Sequence, residues 1–329
     1  MSENERARTY RELYLEGQKR LAAAGLAEAG TDARLLLLFV TGMRWNELLL
    51  RYEEALPEES AGEVSNDEGD AGGRRPDPGK SSIAARYLAA VDRRGAHVPL
   101  QYITREQNFC GLDLYVDERV LIPRQDTETL VELVLKECGE LSRNHRTPGA
   151  EKCGAQNGKN TEGRTVLDLC TGSGCIAVAL AKLGRFAAVN AADISADALA
   201  VAAENVRRTG ADVTLVRSDL FSEIPGRFDV ITANPPYIRS KVISTLTPEV
   251  REHEPRLALD GDEDGLAFYR RLASESPAHL NPDGRVYYEI GYDQGEAVCT
   301  LLRENGFSGV RCVKDLAGLD RVVTGVYHV

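Results

Sequence analysis

The sequence predicts an α/β fold: a doubly wound, largely parallel sheet of seven strands with an antiparallel last strand, joined through a linking β-hairpin to a small helical N-terminal domain. Three observations carry that prediction. From Thr165 onward, short runs of apolar residues alternate with amphipathic stretches of helical length, the pattern of parallel strands with crossover helices. A glycine turn, DLCTGSGCIA, stands between the first such strand and its helix. Residues up to about 55 carry helical rather than alternating periodicity.

In chain order, Thr31 is placed to cap a helix whose apolar run is Leu35 to Val40, and Trp45, Leu48 and Leu49 follow at helical spacing. Residues 57–80, PEESAGEVSNDEGDAGGRRPDPGK, offer nothing to bury and predict a disordered insertion. A further helix carries Ile83, Tyr87, Leu88 and Val91 on one face. QYITREQNFCGLDLYVDERVLIPR alternates around Gly111, which predicts the β-hairpin. Asp126 is placed to cap a helix with Leu130, Leu133 and Val134, and a second polar insertion, residues 142–163, follows it. The domains are thus expected at 1–98, helical, and 99–329, hairpin and sheet.

The sheet then reads VLDLC strand, CIAVALAKLG helix, AAVNAAD strand, SADALAVAAENVRRTG helix, VTLVRSD strand and FDVITAN strand. A helix near Leu266 to Ser274, a strand GRVYYEIG, a helix from about Gln294 and strands near Val310 and Val322 complete it. KDLAGLD is too short for a parallel crossover, so the final two strands are expected to pair antiparallel.

With 329 residues and 43% hydrophobic content the chain can build one or two cored domains. A net charge of -11 argues against sequence-independent binding to nucleic acid, which needs dense Lys and Arg. The seven cysteines are scattered, without C-x-x-C spacing; the nearest pair, Cys170 and Cys175, reads as buried free thiols, and no metal site is expected. The N-terminus, MSENERARTYRELYLEG, lacks the apolar core of a signal peptide, and no apolar run approaches a membrane span, so a cytoplasmic protein is expected.

Gly172 and Gly174 let a ligand approach the backbone of the turn, but G-S-G-C-I-A also fits a dinucleotide fingerprint, with Asp193 about 20 residues on, so the glycines alone do not separate NAD from S-adenosylmethionine. Asp168, four residues before Gly172, favours a positively charged ligand over a pyrophosphate; the alternative is that it only accepts hydrogen bonds in the turn. Asp193 is placed for ribose hydroxyls and Asp219 for an adenine amino group, or each is a cap or turn residue.

The fourth strand ends at Asn234, and neither Pro235 nor Pro236 continues a ladder. Asn234 therefore emerges at the edge that carries the glycine turn. Its side-chain oxygen and the Pro235 carbonyl can each accept an N-H from a planar amino or amide nitrogen and aim it, while Tyr237 offers a ring face to a flat group. A plain strand-ending turn is the alternative.

These residues resemble the class I methyltransferases that act on planar nitrogens, and more closely the peptide chain release factor N5-glutamine methyltransferases. VPLQYI, VLIPRQDTETLVE, VLDLCTGSGCIA, SDLFS, NPPYI, EVREHEPRLALDGDEDG, EIGYDQG and KDLAGLDRVV resemble that family's blocks in order, from about Val98 to the C-terminus. The resemblance implies a Rossmann-like sheet, S-adenosyl-L-methionine as methyl donor without a metal, and a cofactor site of Thr127, Asp168, Cys170, Thr171, Gly172, Ser173, Gly174, Asp193, Asp219 and Leu220, bordered by Asn234. It implies that Asn234, Pro235, Pro236 and Tyr237 hold the acceptor glutamine of the Gly-Gly-Gln tripeptide of class 1 release factors, with Asn234 and Pro235 catalytic, and that the helical domain recognises the substrate. Cys170 and Arg105 stand where that family often has glycine, and Gln125 where it commonly has proline. DNA adenine-N6 methylation and a non-catalytic cofactor-binding module are the alternatives; the acidic total and the lack of an evident DNA-recognition domain count against the first, and the intact NPPY against the second.

Overall fold

Thr9 opens the first helix, α1 (Tyr10–Ala23), with a capping box: its hydroxyl accepts the Glu12 amide and the Glu12 carboxylate accepts the Thr9 amide, pairing two N-H groups that helix geometry leaves free. The computed structural model describes residues 8–57, 81–138 and 163–328. Apart from Pro57 and Gly163, both predicted insertions lie outside the described residues. The chain divides into two compact units, Met1–Arg105 and Glu106–Val329.

The first unit continues with α2 (Ala29–Thr41), α3 (Trp45–Leu50), α4 (Ile83–Gly95) and α5 (Leu100–Thr104). Its core gathers Leu13, Leu21, Leu36, Leu37, Leu48, Tyr87 and Val91. Thr31 does not cap α2; the buried face reaches back to Ala29 and Ala33, so packing extends the helix and leaves Thr31 inside its first turn. Ile83 and Leu88 of α4 are partly buried against the same core. QYIT, expected in the hairpin, is the helix α5, which starts after Pro99 and stops at Arg105.

In the second unit, β1 (Gln107–Phe109) and β2 (Leu112–Leu114) form the hairpin. Cys110 and Gly111 both have positive φ at its tip, the backbone that a tight two-residue turn requires. Asp126 lies within the first turn of α6 (Gln125–Cys138) rather than capping it. There its charge still complements the helix dipole.

The sheet is built from β3 (Thr165–Leu169), β4 (Ala188–Asp193), β5 (Thr214–Arg217), β6 (Phe228–Ala233), β7 (Leu280–Glu289), β8 (Phe307–Lys314) and β9 (Asp320–Tyr327). Its order is β5-β4-β3-β6-β7-β9-β8, and β9 runs antiparallel to both neighbours, as the short KDLAGLD connection requires. The helices α7 (Cys175–Leu183), α8 (Ala196–Thr209), α11 (Ala267–Glu275) and α12 (Gly295–Glu304) flank it, and the short helices α9 (Ser240–Ile243) and α10 (Pro248–His253) follow the end of β6.

Successive strand residues point to opposite faces. Leu167, Ile231 and Val286 accordingly join one core layer with Tyr269 and Val298, whereas Val166, Val230 and Tyr287 join the other with Ile176 and Val134. Register aligns Leu169 with Ala192 and Ala233, and Asp193 with Arg217. The carboxyl ends of β3 to β6 thus open at one edge, where the chain turns from building the sheet on one side of β3 to building it on the other. Open α/β sheets bind ligands at that point.

Candidate active site

A cavity of about 340 Å³ lies at this edge. Its floor is the turn after β3. Cys170 and Gly172 are left-handed, with φ of 55° each, and an added Cβ on Gly172 would meet nothing within 4 Å, so a ligand can approach the backbone there. Thr171 and Ser173 line the floor beside them, and the Ser173 hydroxyl is buried without a partner among the described residues.

Asp193, at the end of β4, borders the cavity and braces the turn: Oδ2 accepts the Gly172 amide and Oδ1 the Ser195 amide, each at 2.9 Å. Burial raises its pKa, and these amides oppose the rise. Asp219 also borders the cavity but is engaged by Arg271, whose Nη1 donates to Oδ1 at 2.8 Å. Leu220, left-handed at φ 49°, supplies an apolar wall with Ile176, Ile194 and Phe268.

On the far side stand Thr127, from α6, and Asn234, from the end of β6. Asn234 Nδ2 donates to Thr127 Oγ1 at 3.4 Å, and no donor among the described residues takes Asn234 Oδ1. Pro255, Leu257 and Ala258 complete this wall. Their segment is tied down by Arg124, whose Nη2 reaches both oxygens of the buried Glu254 at 2.7 Å.

Thr127, Cys170, Thr171, Gly172, Ser173, Asp193, Asp219, Leu220, Asn234 and Pro236 therefore meet around one cavity. Asp168, Gly174, Pro235 and Tyr237 do not border it. Asp168 shares the strand face of Val166, so it points into the core beside α7 and is fully buried. Its oxygens accept from Thr171 at 2.6 Å and Thr232 at 2.7 Å, and burial pushes its pKa up to about 7. It shapes the turn through Thr171 rather than facing the ligand with a charge. Gly174 serves packing, since a Cβ there would lie 3.1 Å from that of Ala202. Pro235 is buried, and the Tyr237 ring packs against the core layer of Tyr269 and Leu272, with burial raising its pKa to about 12.

Sequence reasoning missed the residues that hold the Asn-Pro-Pro-Tyr segment in place. Ile238 N donates to the Leu259 carbonyl at 3.0 Å and Gly261 N to the Ile238 carbonyl at 2.8 Å, and Gln294 Nε2 donates to the carbonyls of Tyr237 at 3.0 Å and Gly265 at 3.1 Å. A Cβ on Gly261 would fall 2.7 Å from Tyr237 Cα, and one on Gly265 would fall 2.4 Å from Tyr237 O. Asn205 was missed as well: fully buried on α8, it bonds Tyr115 N and O and the Ser173 carbonyl. Its signal was a polar residue on the buried stripe of Ala198, Val201 and Ala202.

Cys110, Cys138, Cys170, Cys175, Cys299 and Cys312 are free thiols, with Cys170 and Cys175 half-buried. No helix among the described residues is long and apolar enough to cross a membrane.

Residues 155–262 match the methyltransferase small domain, and residues 12–66 match the PrmC N-terminal domain. The chain is 38% identical to the release factor glutamine methyltransferase of Agrobacterium fabrum, over 94% of each chain. It is 39% identical to the release factor glutamine methyltransferases of Geobacter sulfurreducens, over 93% of this chain and 92% of that one, and of Moorella thermoacetica, over 95% and 96%.

Proposed function

Because the chain belongs to the release factor glutamine methyltransferases, we propose that it transfers a methyl group from S-adenosyl-L-methionine to the side-chain amide nitrogen of the glutamine in the Gly-Gly-Gln motif of class 1 peptide chain release factors. The observation that carries this reading is Asn234, which borders the cavity opposite the glycine turn with its amide nitrogen engaged by Thr127 and its oxygen left to accept.

The cavity fits the donor. The open Gly172 backbone and the unpartnered Ser173 hydroxyl offer polar contacts to its amino acid end. Each Asp193 oxygen keeps a lone pair for the ribose hydroxyls beyond the amide it already accepts. Ile194, Leu220 and Phe268 suit the flat face of adenine, and Asp219 keeps Oδ2 outside its ion pair for the amino group. When bound, the donor supplies a methyl carbon activated by a sulfonium; no metal is required.

The chain's own contribution is orientation. An amide nitrogen is a poor nucleophile because its lone pair is delocalised. Asn234 Oδ1 accepts one N-H of the acceptor glutamine and the Pro235 carbonyl, between two cavity-lining neighbours, accepts the other, which turns the lone pair toward the donor. Both prolines fix φ, so these acceptors stay in place without reorganisation. A protonated N-methyl amide is strongly acidic and loses its proton to water, so no resident base is needed. The helical N-terminal unit recognises the release factor, and the reaction belongs to translation termination in the cytoplasm.

The test incubates the protein with labelled S-adenosylmethionine and either a class 1 release factor or duplex DNA. Label is expected on the release factor; label on DNA alone would replace this reading with adenine methylation. Asn234→Ala is expected to cut transfer to a small residual rate while leaving donor binding intact, and unchanged turnover would remove Asn234 from the mechanism.

A further inference from the structure

Glu289 ends β7 in the middle of the sheet, with 1% of its surface exposed. Its main chain is fixed, since its carbonyl accepts the Tyr269 hydroxyl at 2.7 Å and it stands opposite Val322 of β9. Its side chain is not: Oε2 is buried with no hydrogen-bond partner among the described residues. A buried carboxyl oxygen left without a partner costs stability and calls for a reason. The Thr127 hydroxyl and the Asn234 amide, both on the cavity wall, are the side chains directed at it.

An asparagine amide has two ends of nearly equal shape, and only its partners decide which end faces the cavity. Thr127 Oγ1 already takes the nitrogen end, but across a long 3.4 Å. An ionised carboxylate accepts only, so it too selects the nitrogen. We propose that Glu289 is a positioning residue for methyl transfer, holding the Asn234 amide with Nδ2 toward the core and Oδ1 toward the acceptor glutamine. This rests on the function proposed above. Once protonated, Glu289 becomes a donor, takes the oxygen end, and lets the amide present N-H groups to a substrate that itself offers N-H groups.

Burial sets the proton equilibrium of Glu289 near its working range: it pushes the pKa up to about 7, opposed by Thr127, by the Arg321 guanidinium of β9 and by Asn234, and reinforced by Asp126 of α6. The other titratable groups that bear on it are Tyr237, Tyr269 of α11 and Cys175 of α7. All three are raised by burial, Tyr237 and Cys175 to about 12, so none competes near neutrality.

Single-turnover methylation of a class 1 release factor, followed from pH 6 to pH 8, tests this. The wild-type rate is expected to rise about tenfold across that window as one carboxyl of pKa near 7 ionises. Glu289→Gln keeps an acceptor oxygen and loses the proton, so its rate at pH 8 is expected within about threefold of wild type and flat with pH. Glu289→Leu is expected to fall about 100-fold below wild type at pH 8 and to be flat with pH, with unchanged donor affinity. In an Asn234→Ala background, neither substitution is expected to lower the residual rate further, since Glu289 acts through Asn234. A Glu289→Gln enzyme that keeps the wild-type pH limb overturns the inference even if Glu289→Leu fails to fold. A wild-type enzyme that leaves the release factor unlabelled overturns the function itself, a separate outcome.

Discussion

Gly261→Ala places a methyl group where the Asn-Pro-Pro-Tyr segment already is. The new Cβ would lie 2.7 Å from Tyr237 Cα, 2.8 Å from Tyr237 C and 2.9 Å from Pro236 O. Carbon atoms rest at about 3.5–4.0 Å, so the segment has to retreat by roughly 1 Å. All three obstacles are backbone atoms, and no side chain can rotate out of the way. The segment cannot give freely either, because Gly261 N donates to Ile238 O at 2.8 Å and Gln294 holds the Tyr237 carbonyl. The displacement therefore passes back through Pro236 to Pro235 and Asn234. A misplacement of about 1 Å in a catalytic group costs about 100-fold in rate, and overpacking costs about 1–3 kcal/mol in stability. Donor affinity is expected to stay at the wild-type value, since Gly172 and Asp193 are untouched. Single-turnover methylation of a release factor, with calorimetric titration of the donor, measures both. Gly95→Ala is the control, because its nearest neighbour, Ala24 Cβ, lies at an ordinary 3.8 Å. A folded Gly261→Ala enzyme with the wild-type rate would refute the idea that this glycine sets the position of the acceptor groups.

Two further predictions concern buried charge. Asp168 has a folded pKa of about 7 against an ordinary value of 3.8, so its contribution to stability is complete below about pH 4 and is lost as pH rises through 7. Asp168→Asn removes that loss, and its unfolding free energy relative to wild type is expected to climb between pH 4 and pH 8, by at most about 4 kcal/mol; parallel urea curves for the two proteins across this range would contradict it. Arg124→Met strands the Glu254 carboxylate, whose side chain is 1% exposed, and is expected to cost about 2–3 kcal/mol, below the roughly 3–5 kcal/mol of a fully buried pair because the Arg124 side chain is 40% exposed. Donor affinity is expected to fall with it, as Pro255, Leu257 and Ala258 lose their tether to the cavity wall; an unchanged unfolding midpoint would argue that the pair holds nothing.

What was legible in the sequence is what local pattern encodes. Alternating apolar runs gave the strands from Thr165 onward, and the seven-residue KDLAGLD link gave the antiparallel end. The three departures from the family pattern also have local explanations. Cys170 and Arg105 occupy left-handed backbone at φ 55° and 60°, where glycine is at ease, and Gln125 is the first residue of α6, where proline is favoured. What was illegible depends on distant partners. Asp168 reads as a ligand-facing acid until the pleat turns it toward α7 and Thr232 takes one of its oxygens. Gly261, Gly265 and Gln294 look like loop residues until the fold lays them against the Tyr237 backbone. Thr31 reads as a cap because propensity cannot foresee that Ala29 and Ala33 are drawn into the core of the helical unit.

A crystal structure with S-adenosylhomocysteine and a Gly-Gly-Gln peptide bears most directly on the account as a whole. The glutamine amide nitrogen is expected within about 3 Å of both Asn234 Oδ1 and the Pro235 carbonyl, with its remaining face toward the sulfur. A glutamine bound with its carboxamide oxygen, rather than its nitrogen, against Asn234, or bound away from both acceptors, would contradict it.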